Sequence, residues 1–164
     1  MMLKVRFLEK NVKRFNNGKI TAIQLWGEIK WHYTGVDNHL FWPWMKNYIK
    51  HKRIIITDGY LVTVEGKATC SDEDIIDEVF GERIAEARAK ITLYKFMKNL
   101  CKQVYTYYRV LLYGHRPLGI RANKENEDSL YQSYLKYNAL ADKEELHLKD
   151  LLYGQSNSEG STNN

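Results

Sequence analysis

Basic and tyrosine side chains are concentrated in one segment of this sequence, with no acidic residue among them. From Lys90 to Arg121 there are seven basic residues and five tyrosines but no Asp or Glu. Lysine and arginine neutralise phosphates, and tyrosine rings stack on nucleobases or supply contact area to a protein. Because a solvated surface is normally mixed in sign, the segment predicts contact with an anionic partner.

The charge of the whole chain alternates between zones. Residues 1–57 hold eleven basic and three acidic residues, whereas residues 58–89 hold three basic and nine acidic. Residues 122–153 hold four basic and seven acidic, so the formal net charge of +5 hides two basic and two acidic zones. Either these zones pair inside the molecule, or the basic zones face outward toward phosphate or another acidic surface.

A second group has the residue types of a catalytic site, namely Asp58 with Glu65 and Lys67. In many nucleases two carboxylates bind Mg²⁺ and a lysine steadies the attacking water or the leaving phosphate. The pair Asp58-Gly59 is also a strong hairpin-turn signal, which explains the aspartate without catalysis. The five histidines have no metal-binding spacing, and no phosphate-binding loop or nucleophile elbow occurs. We expect no catalysis, no metal and no cofactor, with a metal-dependent nuclease as the catalytic alternative.

Alternating polarity predicts β-strands in the first third of the chain. Strands are expected over residues 3–7, 20–26 and 28–33, and Asn16-Asn17-Gly18 suits the positive φ angles of a hairpin turn. Two more, over 53–57 and 60–65, flank Asp58-Gly59. Within residues 38–50, Pro43 suits the first turn of a short helix that runs to about Ile49. We therefore expect an antiparallel sheet of about five strands.

The hydrophobic period changes from 2 to 3.6 at Ser71, which predicts one long helix over residues 71–113. Ser71 and Asp74 resemble a capping box, and Gly81 is the position where a break is expected. A projection at about 100° per residue gathers an apolar stripe for packing on the sheet. The stripe contains Leu93, Met97, Leu100, Val104, Tyr107 and Leu111. The opposite side carries Lys95, Lys98, Lys102 and Arg109, with Tyr105 at its edge.

Glu82 and Glu86 project onto the apolar side of this helix, where an unpaired carboxylate would be costly. Either the helix bends near Gly81, or basic side chains of the sheet meet these glutamates. Two shorter helical patterns follow, over residues 126–137 and 142–152. Their acidic side chains could cover the basic face of the long helix, and the sequence leaves that open.

Together these patterns predict an α+β fold in which an antiparallel sheet packs against one long helix, with a short helical C-terminal annex. A single domain is expected over 1–153, with mainly strands in 1–66, the long helix in 71–113, the annex in 124–153 and a disordered tail in 154–164. No apolar run is long enough to cross a membrane, and the first ten residues do not resemble a signal peptide. We expect a cytoplasmic protein whose two cysteines stay reduced.

The segment around the predicted helix start reads Gly66-x-Ala68-x-Cys70-x-x-x-Asp74-x-x-Asp77-x-x-x-Gly81-x-x-Ile84-Ala85-x-x-Arg88-Ala89. It resembles a recurrent segment of small uncharacterised proteins encoded by bacteriophages and prophages, in which Phe often stands at the position of Ile76. It covers residues 66–89 and transfers no functional residue. The resemblance implies an accessory protein of a phage or mobile element, acting in a bacterial host cell on nucleic acid or on a host defence complex.

The expected function is non-catalytic binding of nucleic acid, or of a nucleoprotein such as a host defence complex, through the basic face of the long helix. The predicted contact residues are Lys95, Lys98, Lys102, Tyr105 and Arg109, supplemented by Arg6, Lys13, Arg14, Lys50, Lys52 and Arg53. The alternative is a structural protein that forms homo-oligomers, in which basic zones of one subunit meet acidic zones of the next.

Overall fold

A computed structural model describes residues 2–32, 55–57, 61–71, 77–113 and 124–154 of the chain. This part of the chain forms four strands and two helices. They are β1 (Met2–Phe15), β2 (Ile20–His32), β3 (Ile55–Thr57), β4 (Leu61–Thr69), α1 (Glu78–Tyr113) and α2 (Lys124–Tyr153). The fold is α+β with an antiparallel sheet, as the sequence predicts.

The sheet has the strand order β1-β2-β4-β3, and every neighbouring pair is antiparallel. Asn16, Asn17 and Gly18 all have positive φ angles, so the predicted hairpin turn joins β1 to β2. The two strands expected over 20–26 and 28–33 are one strand, which is why the described part of the sheet has four strands rather than five. The strand β2 continues through Gly27. A Cβ there would lie 2.8 Å from Val5 Cγ2, so glycine lets β1 pack closely against β2.

The first helix begins later than the sequence predicts. Ser71 lies outside it, and Asp77 is the N-cap, whose Oδ1 accepts a hydrogen bond of 2.9 Å from the Phe80 backbone N–H. The helix then continues through Gly81 without a break. A Cβ at Gly81 would lie 3.3 Å from Thr21 Oγ1, so this glycine fits the helix closely against β2. The last residue of the helix in the described range is Tyr113.

One face of the sheet packs on α1 and holds the core. The strands contribute Ile23, Leu25, Ile29, Val62, Val64 and Ala68, and the predicted helix stripe contributes Leu93, Met97, Leu100 and Val104, all of them buried. Tyr107 and Leu111 of that stripe have side chains outside the described set. Gly66 brings helix and strand closest together, since a Cβ there would lie 2.1 Å from the Ala85 carbonyl oxygen and 2.4 Å from the Ala89 nitrogen.

The expected C-terminal annex is a second long helix. The patterns over 126–137 and 142–152 form one continuous helix, because the intervening Asn138-Ala139-Leu140-Ala141 contains no helix breaker and Ala141 is buried. The α2 helix runs antiparallel to α1 and reaches the sheet through Tyr137, whose hydroxyl oxygen accepts a 2.8 Å hydrogen bond from the Val5 backbone N–H. Burial raises the pKa of Tyr137 to about 12, so the hydroxyl keeps its proton.

The expected short helix from Pro43 to about Ile49, the Asp58-Gly59 turn and the tail from residue 155 onward lie outside the described residues. The fold that positions the helices is therefore that of the sheet and the α1–α2 hairpin.

Replacing Gly66 by Ala tests the contact between β4 and α1. The methyl group would overlap helix backbone atoms, which cannot rotate away as a side chain can, so we expect the free energy of unfolding to fall by about 3 kcal/mol. Urea unfolding followed by circular dichroism measures it. Thr69→Ala, on an exposed position of the same strand, is the control. A loss of less than about 1 kcal/mol for Gly66→Ala would contradict the close approach.

Candidate anion-binding seam between the helices

The predicted basic face of α1 lies where α1 meets α2 along the surface. We call this solvent-facing line the helix seam. Its members are Lys95, Lys98, Lys102, Tyr105 and Arg109 of α1, and Glu127, Tyr131, Tyr134 and Glu145 of α2. The antiparallel course of the helices puts Arg109 and Glu127 near one end and Lys95 and Glu145 near the other.

Two ion pairs join the helices at the ends of the seam. Lys95 Nζ lies 2.5 Å from Glu145 Oε1, and this contact lowers the pKa of Glu145. Arg109 Nε lies 3.2 Å from Glu127 Oε1, and the Glu127 side chain is only 10% exposed. The acidic residues of α2 therefore cover part of the predicted basic face, which is one of the two arrangements that the sequence leaves open.

Lys98 and Lys102 lie between these two pairs, one helical turn apart. Lys98 lies close enough to Glu145 to lower its pKa slightly, but the nearest partner of that carboxylate is Lys95. Neither Lys98 nor Lys102 forms an ion pair with any residue in the described ranges, and Lys102 is exposed. Two of the four basic side chains on this face therefore keep their charge available.

Tyrosines of both helices make ring contacts along the same seam as these lysines. The ring centroids of Tyr105 and Tyr131 are 5.6 Å apart at 41°, and those of Tyr131 and Tyr134 are 6.1 Å apart at 28°. The Arg109 guanidinium carbon lies 5.8 Å from the centre of the Tyr105 ring, a cation–π distance. Tyr131 is 44% exposed, so one ring of this stack faces solvent.

Tyr131 and Tyr134 belong to the seam although sequence reasoning did not select them. The signal was present in the charges, since the acidic residues of 122–153 are opposite in sign to the basic residues of α1. Two helices of opposite charge joined by a short connection favour an antiparallel hairpin. That hairpin sets Tyr131 beside Tyr105.

The supplementary basic residues of the sheet do not join the seam. Arg6 pairs with Glu28 at 3.0 Å, and Arg14 pairs with Glu78 and Glu82 at 3.2 Å each. Lys13 lies on the sheet face away from the helices, in register with Ala22. Lys50, Lys52 and Arg53 lie outside the described residues. The predicted set therefore separates into the seam and positions elsewhere on the molecule.

The acidic start of α1 is neutralised by β1. Lys10 Nζ lies 3.0 Å from Glu82 Oε1 and 2.9 Å from Glu86 Oε2, and Lys90 Nζ lies 2.8 Å from Glu86 Oε1. Basic side chains of the sheet thus meet Glu82 and Glu86, and the helix does not need to bend. Burial acts to raise the pKa of Glu86, but the hydrogen bonds from Lys90 and Lys10 outweigh it, and the net pKa is lowered. The hydrogen bonds that Lys10 donates to Glu86 and Glu82 raise the pKa of Lys10.

Glu65 and Lys67, the residues of the nuclease alternative, lie on the sheet face opposite the helices. Lys67 Nζ lies 3.0 Å from Glu65 Oε1 and lowers the pKa of that carboxyl, while Gln24 Nε2 donates to Glu65 Oε2 at 3.4 Å. Asp58 lies outside the described residues. Among the residues that are described, no three His, Cys, Asp or Glu side chains are grouped as a metal site would require.

Comparison with protein-family models, curated proteins and solved structures found no significant match. Neither α1 nor α2, the two helices described, has an apolar stretch long and uncharged enough to cross a membrane.

The Lys10 cluster makes stability depend on pH in a defined direction. Because the folded pKa of Glu86 lies below its ordinary value of 4.5, its stabilisation is present above that pH and is lost as the pH falls through the folded pKa. Because the folded pKa of Lys10 is raised above 10.5, its stabilisation is lost only as the pH rises through that higher value.

Lys10→Met should therefore reduce the loss of stability in acid. Between about pH 6 and pH 3 we expect the fall in the free energy of unfolding to be about 0.5–1 kcal/mol smaller than in the unmodified chain, since the groups are partly exposed. Urea unfolding at each pH measures it. Lys4→Met, at an exposed position of the same strand, is the control and should retain the full acid dependence. An equal acid dependence in both variants would contradict the role of the cluster.

Proposed function

We propose that this chain is a non-catalytic nucleic-acid-binding protein that holds its ligand along the helix seam. The observation that carries the proposal is the position of Lys98 and Lys102, whose charges are not paired within the described residues, beside the stack of Tyr105, Tyr131 and Tyr134. Cations that follow a backbone, next to exposed aromatic rings, are the combination by which proteins bind single strands.

Electrostatics favours an anion at this position. Like charges one turn apart on a helix repel each other, which costs a few tenths of a kcal/mol. Successive phosphates of a nucleic-acid strand would remove that repulsion and release condensed counterions. The ion pairs at the two ends hold α1 and α2 in place, so ordering the seam adds little to the cost of binding.

The tyrosine stack supports a nucleic acid rather than a simple anion. Tyr131 contacts Tyr105 and Tyr134 and is 44% exposed, so an unpaired base has aromatic surface to contact there. Stacking of a base on an aromatic side chain contributes about 1–3 kcal/mol. Inorganic phosphate would gain only the contact with the lysines.

The biological setting follows from the resemblance of residues 66–89 to phage and prophage proteins. It favours an accessory protein that acts in the cytoplasm of a bacterial host, on nucleic acid or on a nucleoprotein such as a host defence complex. The charge-complementary oligomer remains the alternative of another class. No contact of Glu65 or Lys67 favours the nuclease.

Lys98→Gln combined with Lys102→Gln should weaken binding to a labelled single-stranded oligonucleotide. The slope of log K against log salt should become shallower by about 1–1.4, because up to two phosphate contacts are lost. Fluorescence anisotropy at several salt concentrations measures both quantities. The control is Lys4→Gln with Lys143→Gln, which removes two exposed charges from other surfaces. Equal slopes for the two double variants, or no salt-dependent binding by the unmodified chain, would contradict the proposal.

Glu145→Gln should act in the opposite direction and strengthen binding. It leaves Lys95 without its carboxylate partner, so a third cation joins Lys98 and Lys102 on the seam. We expect affinity for the same oligonucleotide to rise about threefold to tenfold, with a salt slope steeper by about 0.7–0.9. Glu125→Gln, which removes an acidic charge at the start of α2, is the control for net charge. If both variants raise affinity equally, only net charge matters and the seam has no special role.

A further inference from the structure

The outer edge of β1 presents backbone hydrogen-bonding groups that no described strand pairs with. Among the described strands β1 lies at the edge of the sheet, and the Val5 N–H points away from β2 and donates a hydrogen bond to the Tyr137 hydroxyl. Beyond the bulge between Phe7 and Glu9, the residues Lys10, Val12 and Arg14 lie opposite Leu25, Ile23 and Thr21 of β2. Like Val5, these three residues stand at positions of β1 where the backbone N–H and C=O groups point away from β2. Such an edge is a template for another strand.

Charged side chains normally prevent that pairing, but here they are arranged to permit it. Lys10 and Arg14 are held by glutamates of α1, so they do not repel an approaching strand. On the opposite face Glu9 and Lys13 are exposed, opposite in sign and four residues apart. If two β1 strands pair antiparallel with their Asn11 residues opposite each other, Glu9 of each copy lies opposite Lys13 of the other. Pairing about Val12 would lose both contacts and set Lys10 opposite Arg14.

The outer face of α2 supplies a second contact at the same edge. Leu135 and Leu146 are 41% and 61% exposed, with the small, exposed Ala139 between them. At about 100° per residue they lie about 140° and 160° around the helix from the buried Leu130, and so point away from α1. Leu135, Ala139 and Leu146 form a narrow apolar strip flanked by the exposed Asp142 and Lys143, and the hydrogen bond of Tyr137 to Val5 holds α2 beside β1.

We infer that the chain forms a twofold symmetric dimer with a second copy of itself, paired through β1 about Asn11. The two sheets become one continuous sheet, and the twofold axis relates the two α2 helices antiparallel, so that the leucines of each face the other. An isologous interface requires a self-complementary surface, and the Glu9, Asn11, Lys13 row satisfies that requirement. The helix seam lies on a different side of α2, so the dimer leaves the proposed nucleic-acid site uncovered.

Sedimentation equilibrium on the full chain with single and double charge reversals tests this dimer. The unmodified chain should show twice its chain mass of 19.4 kDa. Glu9→Lys and Lys13→Glu should each raise the dimer dissociation constant about tenfold, because two attractive contacts become repulsive. The double variant Glu9→Lys with Lys13→Glu should restore it.

Lys67→Glu is the matched control, since it makes the same change on the same sheet face but in β4, away from the edge. Circular dichroism of each variant separates loss of the dimer from loss of folding. A chain that remains monomeric up to about millimolar concentration overturns the inference. So does a dimer that the single reversals leave unchanged, or one that the double reversal does not restore.

Discussion

The approach of α1 to β4 at Gly66 is the contact on which the rest of this structure depends. A side chain at that position would overlap the backbone at Ala85 and Ala89, so the helix lies as close to the sheet as two backbones allow. Ala85 and Ala89 are fully buried and equally small. This contact sets the height of α1 above the sheet, and Gly81 on Thr21 extends the close fit toward the start of the helix. The long side chains of β1 can therefore reach the first turns of α1.

The alternation of charge along the sequence becomes a pairing of zones in space. Basic residues of β1 meet the acidic start of α1, and acidic residues of α2 meet the basic half of α1. Each pair is partly exposed and contributes little energy by itself. Together these ion pairs favour one orientation of the helices, because a reversed helix or a shifted register would bring like charges together. Lys98 and Lys102 remain after this pairing, and so the binding proposal depends on them rather than on the whole basic segment.

Local signals predicted the parts of the fold that local chemistry determines. The Asn16-Asn17-Gly18 turn and the buried stripe of Leu93, Met97 and Leu100 follow from φ preferences and helical period. The errors concern residues whose role is set by a distant partner. Gly27 suggested the end of a strand, but it makes room for Val5 across the sheet.

The start of α1 and the extent of α2 were missed for related reasons. Asp77 has the same capping chemistry as Ser71, and the sequence offers no local way to choose between them. The weak apolar pattern around Asn138 suggested a gap, whereas Ala141 is buried at that point. For the seam, Lys95 and Arg109 were correctly placed on one helix face, but their partners Glu145 and Glu127 depend on the hairpin, and so does the contribution of Tyr131.

A surface with two available lysines binds nucleic acid weakly and is sensitive to salt, because each phosphate contact adds only a small, screened contribution. A twofold dimer would strengthen this binding without any new contact between a seam and the nucleic acid. Each copy would carry its own seam, and a strand bound at one seam would be held at high effective concentration near the other. The acidic residues that neutralise Lys95 and Arg109 then limit the affinity of a single seam. Tight binding would require both seams of the dimer. The edge of β1 and the seam of α1 and α2, although separate in the fold, would act on the same ligand.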